Sequence, residues 1–181
     1  MPRMTRSKFS ALCLFSVACV AACSPALNWR QLSADSGRVQ VLLPCKPEQA
    51  TRQVSLRAGT QDVSANVQLQ GCEASGMQFT LAYMTVPEGM QLSAAMAAWR
   101  LASLAPLQLG GDKDQQGDWQ LQGARADPTP IKTRAMTNKH QAQFVWFAHG
   151  QNIYQAAVYG NNLDKGLPEA AETYFSGIKL P

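Results

Sequence analysis

Histidine is nearly missing from the chain: His140 and His149 are the only two in 181 residues. They mark the two ends of one expected strand, about 30 Å apart at ~3.3 Å per residue, and so cannot share a metal within one subunit. No Gly-x-Ser-x-Gly elbow and no paired cysteine is present to supply an activated nucleophile. Carboxylates are sparse, and Asp62, Glu73, Glu88, Asp127, Asp164, Glu169 and Glu172 form no tight couple of the kind glycoside hydrolysis uses. The Gly110-Gly111 pair lacks the further glycines and the lysine of a phosphate loop. Residues 112–118 imitate a calcium loop but place Gln116 at its fifth position and Gly123 at its twelfth, where a bidentate Glu belongs. These absences lead to the expectation of a chain that is not an enzyme and carries no cofactor and no metal.

Long apolar runs are also lacking, with one exception at the start. Arg3, Arg6 and Lys8 precede residues 9–22, which are apolar or small and uncharged. A basic stretch followed by such a segment is the layout of a secretory signal. As a helix it would span about 21 Å at ~1.5 Å per residue, short of a ~30 Å hydrocarbon core. Val20-Ala21-Ala22-Cys23 resembles a bacterial lipobox. The resemblance implies removal of residues 1–22 and lipid attached to the sulfur of Cys23. The alternative is ordinary signal cleavage that leaves Cys23 a plain thiol. Two or three acyl chains would make the anchor effectively permanent, since each buried methylene contributes about 0.8 kcal/mol and a single chain holds only reversibly. By the same resemblance, Ser24 after the cysteine favours the outer membrane over the inner one.

Charge must then be recounted. Losing Arg3, Arg6 and Lys8 takes 16 basic residues to 13 against 12 acidic ones, so +4 falls to +1. No basic stripe survives to argue for nucleic acid. Of the five cysteines, Cys13 and Cys19 leave with the signal and Cys23 takes lipid, so Cys45 and Cys72 remain. In an oxidising periplasm a pair of this kind forms either one disulfide or two buried thiols, and the compartment favours the bridge.

Residues 23–28 read as a short tether, and residues 29–181 as one domain. Alternation predicts strands over residues 38–43, 52–56, 62–69, 77–85, 131–137, 141–148 and 152–159, with a short one at 119–123. Residues 34–37 and 149–151 carry turn chemistry. Residues 93–104 lack Gly, Pro and β-branched side chains and predict a helix capped by Ser93 and closed by Pro106 and the two glycines. Its only charge is Arg100, which predicts cover over most of its circumference. A last helix is expected over residues 167–175. Trp29, Trp99, Trp119 and Trp146, with Phe144, suit a core, or else an apolar cleft between helix and sheet. Tyr154 and Tyr159 fall on opposite faces of their strand, so one of them is expected to line a surface.

Strand runs broken by one central and one terminal helix describe an α+β layered domain. Trp29, Gly37, Val39, Val41, Leu43, Pro44, Lys46 and Pro47 open it in a way that resembles the PsbP-like family. Phe147, residues 150–155 and 158–160, and the closing residues 175–180 continue the likeness. The resemblance implies an α/β/α sandwich around a mainly antiparallel twisted sheet. The family shares a scaffold and not an activity, so no functional residue carries over. The expected function is a non-catalytic, periplasm-facing binding or assembly module, held to the membrane through Cys23 and docking on an envelope protein, with no nucleic-acid partner. The competing expectation is a carrier of a small apolar ligand or lipid between helix and sheet.

Overall fold

The computed structural model describes residues 27–58, 61–107 and 115–181. Among them, strands β1 (Arg30–Ala34) and β2 (Val39–Leu43) form an antiparallel hairpin of their own. A second, seven-stranded sheet contains β3 (Glu48–Ala58), β4 (Gln61–Ala74), β5 (Met77–Thr85), β6 (Gln115–Asp118), β7 (Ile131–Met136), β8 (His140–His149) and β9 (Asn152–Asn161). Its order is β3-β4-β5-β9-β8-β7-β6, antiparallel throughout. Helix α1 (Leu92–Leu104) follows β5, and α2 (Leu167–Ser176) follows β9. The domain is α+β. None of the described helices is long and apolar enough to cross a membrane.

Parity along the central strands divides the core. Side chains alternate across a sheet, so Tyr154, Ala156 and Val158 of β9 face one way and Ile153 and Ala157 the other. The first set joins Phe79 and Leu81 of β5 and Val145 and Phe147 of β8 beneath α2 and the β1–β2 hairpin. The second joins Met84, Phe144 and Trp146 beneath Ala95, Met96 and Trp99 of α1. Because both faces are covered, β8 and β9 are buried almost throughout, as near-continuous apolar strands require. The β8–β9 connection is a two-residue turn, with Gly150 at φ +59° and His149 paired to Asn152. Glycine takes that left-handed conformation without a steric penalty.

The two helices are held differently. In α2, Leu167, Ala170, Ala171, Tyr174 and Phe175 are buried, and the Tyr174 hydroxyl donates to the Thr80 carbonyl at 2.9 Å. Lys132 pairs with Glu172 across the same layer. In α1 only Ala95, Met96 and Trp99 are buried.

Several local expectations need correction. The short strand lies at Gln115–Asp118, and residues 119–123 form a loop in which Trp119 packs on Phe147. Helix α1 begins after Gln91, which makes no side-chain capping bond, so Ser93 lies inside the helix and not at its cap. The helix is covered on one side only, because a single helix on an open sheet has no further layer outside it. Strands β3 and β4 run well beyond 52–56 and 62–69, since their polar ends are satisfied by pairing with each other.

Candidate binding surfaces

The structure brings Cys45 and Cys72 together as a disulfide with a Cα–Cα distance of 5.9 Å across a sequence separation of 27. The bridge ties the segment after β2 to β4 of the large sheet, and so fastens the small hairpin over the α2-side core. Cys23 lies outside the described residues, as do residues 112–114 of the loop that imitates a calcium site. His140 and His149 stand at opposite ends of β8, and among the described residues no three His, Cys, Asp or Glu side chains gather as a metal site would. Tyr154 is fully buried, whereas Tyr159 borders a cleft with His140 and Gln141. Burial raises the pKa of Tyr159 to about 12.

One polar group in the core was not legible from local pattern. Asp35, only 6% exposed, sits in the turn between β1 and β2 with φ +49°. Its carboxylate accepts from Asn152 Nδ2 at 2.6 Å and from the Tyr154 hydroxyl, and Arg38 donates to its other oxygen at 3.1 Å. The partners lie more than a hundred residues downstream, on the large sheet. Burial, and next the bond to Asp35, push the Tyr154 phenol well above its ordinary value. A buried carboxylate so fully engaged acts as a pin between the hairpin and β9. Phe147 and Tyr83 stack on Tyr154, with ring centroids at 4.8 and 5.9 Å, so the pin also fixes an aromatic row.

Beneath α1 the pattern is the opposite. The Arg100 guanidinium turns inward and lies 5.4 Å from the centroid of Trp146, and burial lowers its pKa. Arg100 Nε, Trp146 Nε1, Gln155 Nε2 and Thr133 Oγ1 are buried with no hydrogen-bond partner. Trp146 and Gln155 are direct cross-strand neighbours, and Thr133 follows one rung further along the same face. Each such group costs about 1–3 kcal/mol relative to a satisfied one. A fifth such group, Arg134 Nε, lies on the α2 side of the sheet. Turning Arg100 inward leaves the outer stripe of α1 uncharged: Ala94, Ala97 and Leu101 recur at helical spacing, and Leu101 is 73% exposed.

Open clefts lie among the described residues. One, of about 500 Å³, lies between β4 and the end of β5. Another, of about 760 Å³, lies between residues 119–123 and the chain after α2, and includes Trp119, Gln122 and Lys179. A third, of about 480 Å³, is the one bordered by Tyr159. Compared with known protein families the chain finds no match, and no curated protein matches it.

Proposed function

We propose that this protein is a lipid-anchored component of a bacterial envelope, a non-catalytic accessory module that docks on another envelope protein through the outer face of α1. The observation that carries the docking is the bare stripe of Ala94, Ala97 and Leu101, made neutral because the one charge of the helix folds onto Trp146. Small side chains let a partner's backbone approach closely, and the exposed Leu101 at the end of the stripe offers an apolar contact.

The anchor rests on the basic start, the short apolar segment and Val20-Ala21-Ala22-Cys23, and Ser24 favours the outer membrane. The Cys45–Cys72 disulfide supports an oxidising compartment, since such bridges are rare where thiols are kept reduced. The three-layer arrangement, with α1 on one face and α2 with the hairpin on the other, supports a PsbP-like sandwich. In the carrier alternative a ligand would have to enter where Met96 and Trp99 pack on Phe144 and Trp146, displacing α1.

Docking is tested with a photo-crosslinking residue at position 101 in intact cells. A single adduct of defined mass is expected there and none from a probe at Leu163, another exposed leucine. A Leu101→Arg change in the unlabelled chain should remove competition for that adduct. Absence of an adduct, or equal labelling from both positions, would refute the docking face. The anchor is tested separately: Cys23→Ser should abolish membrane partitioning and the lipid mass increment.

A further inference from the structure

The β3–β4 hairpin has two unlike faces. Val54, Leu56, Ala65 and Val67 pack toward α1. The alternate positions Thr51, Gln53, Ser55, Ser64, Asn66 and Gln68 form the rungs Thr51–Gln68, Gln53–Asn66 and Ser55–Ser64, all exposed. Every one carries a hydroxyl or a carboxamide, and none is charged. The charges of that face at the hairpin tip, Arg57 and Asp62, neutralise each other at 3.1 Å. Asparagine is a poor strand former, so strand propensity does not explain its place on this face. What amides and hydroxyls offer instead is the capacity of one side chain both to donate and to accept.

This array borders an open cleft. Pairing of β4 with β5 stops at Gln68–Tyr83, while pairing of β4 with β3 continues to Gln61. Beyond that point β4 and β5 part, and the resulting cleft of about 500 Å³ is lined by polar Ser64, Asn66, Gln68, Tyr83 and Thr85, by apolar residues that include Ala65 and Val86, and by Glu88, its single charge. That is within the usual size of a small-ligand site. Tyr83 is half-buried and stacked on Tyr154, which Asp35 holds in turn, so its ring is fixed before anything binds. Thr51 Oγ1 donates to Gln68 Oε1 at 2.8 Å, which orients the carboxamide and leaves its NH₂ to donate outward.

We propose that this cleft binds a neutral oligosaccharide. Sugar hydroxyls, like the wall of the cleft, both donate and accept. The C–H face of a pyranose ring is apolar and suits the Tyr83 ring, and the lack of net charge in a sugar matches the nearly neutral lining. The hydroxyl and amide wall is on the sheet face opposite α1, while Ala65, Met84 and Val86 close the cleft from the α1 side.

The test uses the full chain in detergent, titrated calorimetrically with a β-1,4-linked N-acetylglucosamine tetramer and, separately, with maltotetraose. Saturable binding of at least one, with Kd below about 1 mM, is expected. The exposed double change Asn66→Ala with Gln68→Ala should raise that Kd about tenfold while thermal unfolding is unchanged. Gln122→Ala, in the cleft beside Trp119, should leave Kd as it was. No saturation by either sugar would overturn the proposal. So would binding that the double change leaves intact, or binding that is lost on changing Gln122.

Discussion

Replacing Asp35 with alanine should be among the most damaging single changes outside the apolar core. The carboxylate is the acceptor for two buried donors, Asn152 Nδ2 and the Tyr154 hydroxyl. Losing it leaves the Tyr154 hydroxyl without an acceptor and Asn152 Nδ2 with only its long 3.5 Å contact to that hydroxyl, at about 1–3 kcal/mol each. Alanine must also adopt the left-handed backbone at φ +49°, which adds about 1–2 kcal/mol. A loss of about 4 kcal/mol follows, a large share of the stability of an ordinary domain. Asp35→Asn tolerates the same backbone and keeps one acceptor oxygen, so about 1–2 kcal/mol is expected. Tyr154→Phe alone should cost about 1 kcal/mol, since Asn152 and Arg38 still hold the carboxylate. The decisive measurement is the double variant. With the hydroxyl gone, Asn152 Nδ2 is the one buried donor that Asp35→Ala leaves unpaired, so the double variant should be more stable than Asp35→Ala alone, in which the phenol is orphaned as well and Asn152 keeps only a 3.5 Å contact. Urea unfolding followed by tryptophan fluorescence, with a constant m-value, measures all four proteins. Additive losses, or an Asp35→Ala cost below about 1 kcal/mol, would show that the carboxylate is not the pin between hairpin and sheet.

Three further outcomes are expected. Reduction of the disulfide, or Cys45→Ser with Cys72→Ser, should lower stability by about 3–4 kcal/mol on the chain-entropy account, read as a fall in Tm with dithiothreitol that the double variant no longer shows. Gly177→Ala should destabilise by about 1–3 kcal/mol although alanine is the better helix former, because its Cβ would stand 2.5 Å from Leu42 Cβ and push α2 off β2; an unchanged urea midpoint would contradict that packing. Burial raises the pKa of Tyr154, Tyr159 and Tyr174, Tyr159 to about 12, so the folded state keeps protons that the unfolded chain releases near pH 10. The stabilisation is complete below pH 10 and lost as pH rises toward 12, so Tm should fall across that window and fall less steeply in Tyr159→Phe.

Much of the architecture was written in local pattern, and the exceptions have physical reasons. Residues 77–85 alternate strongly and form β5 at those bounds, and 152–159 and 167–175 each fall within one residue or two of β9 and α2. Strand β6 was missed because Gln-Gln-Gly-Asp has no apolar alternation at all; its pairing with β7 makes it a strand, while Trp119 drew the expectation four residues onward. The outer sides of α1 were expected to be covered because they carry no charge, yet lack of charge says only that water is not required. It does not supply the layer that would exclude it.

The candidate sites were less legible because they depend on register and not on period. Alternation separates Asn152, Tyr154 and Ala156 from Ile153, Gln155 and Ala157, but nothing local states which set faces α1. Only the pairing of Trp146 with Gln155 places those side chains under Arg100, and only the closing of the small hairpin onto the sheet delivers Asp35 to Tyr154. The same holds for the hydroxyl and amide rungs of β3 and β4. Read along the chain, Thr51, Gln53 and Ser55 are ordinary polar positions of an alternating strand. They become one surface with Ser64, Asn66 and Gln68 when the hairpin closes, and they gain a wall when β5 leaves β4 at Tyr83. The proposed binding chemistry is therefore a property of strand pairing: a one-residue slip of β3 against β4 would turn Thr51, Gln53 and Ser55 toward α1 and Val54 and Leu56 away from it, while composition and charge stayed the same.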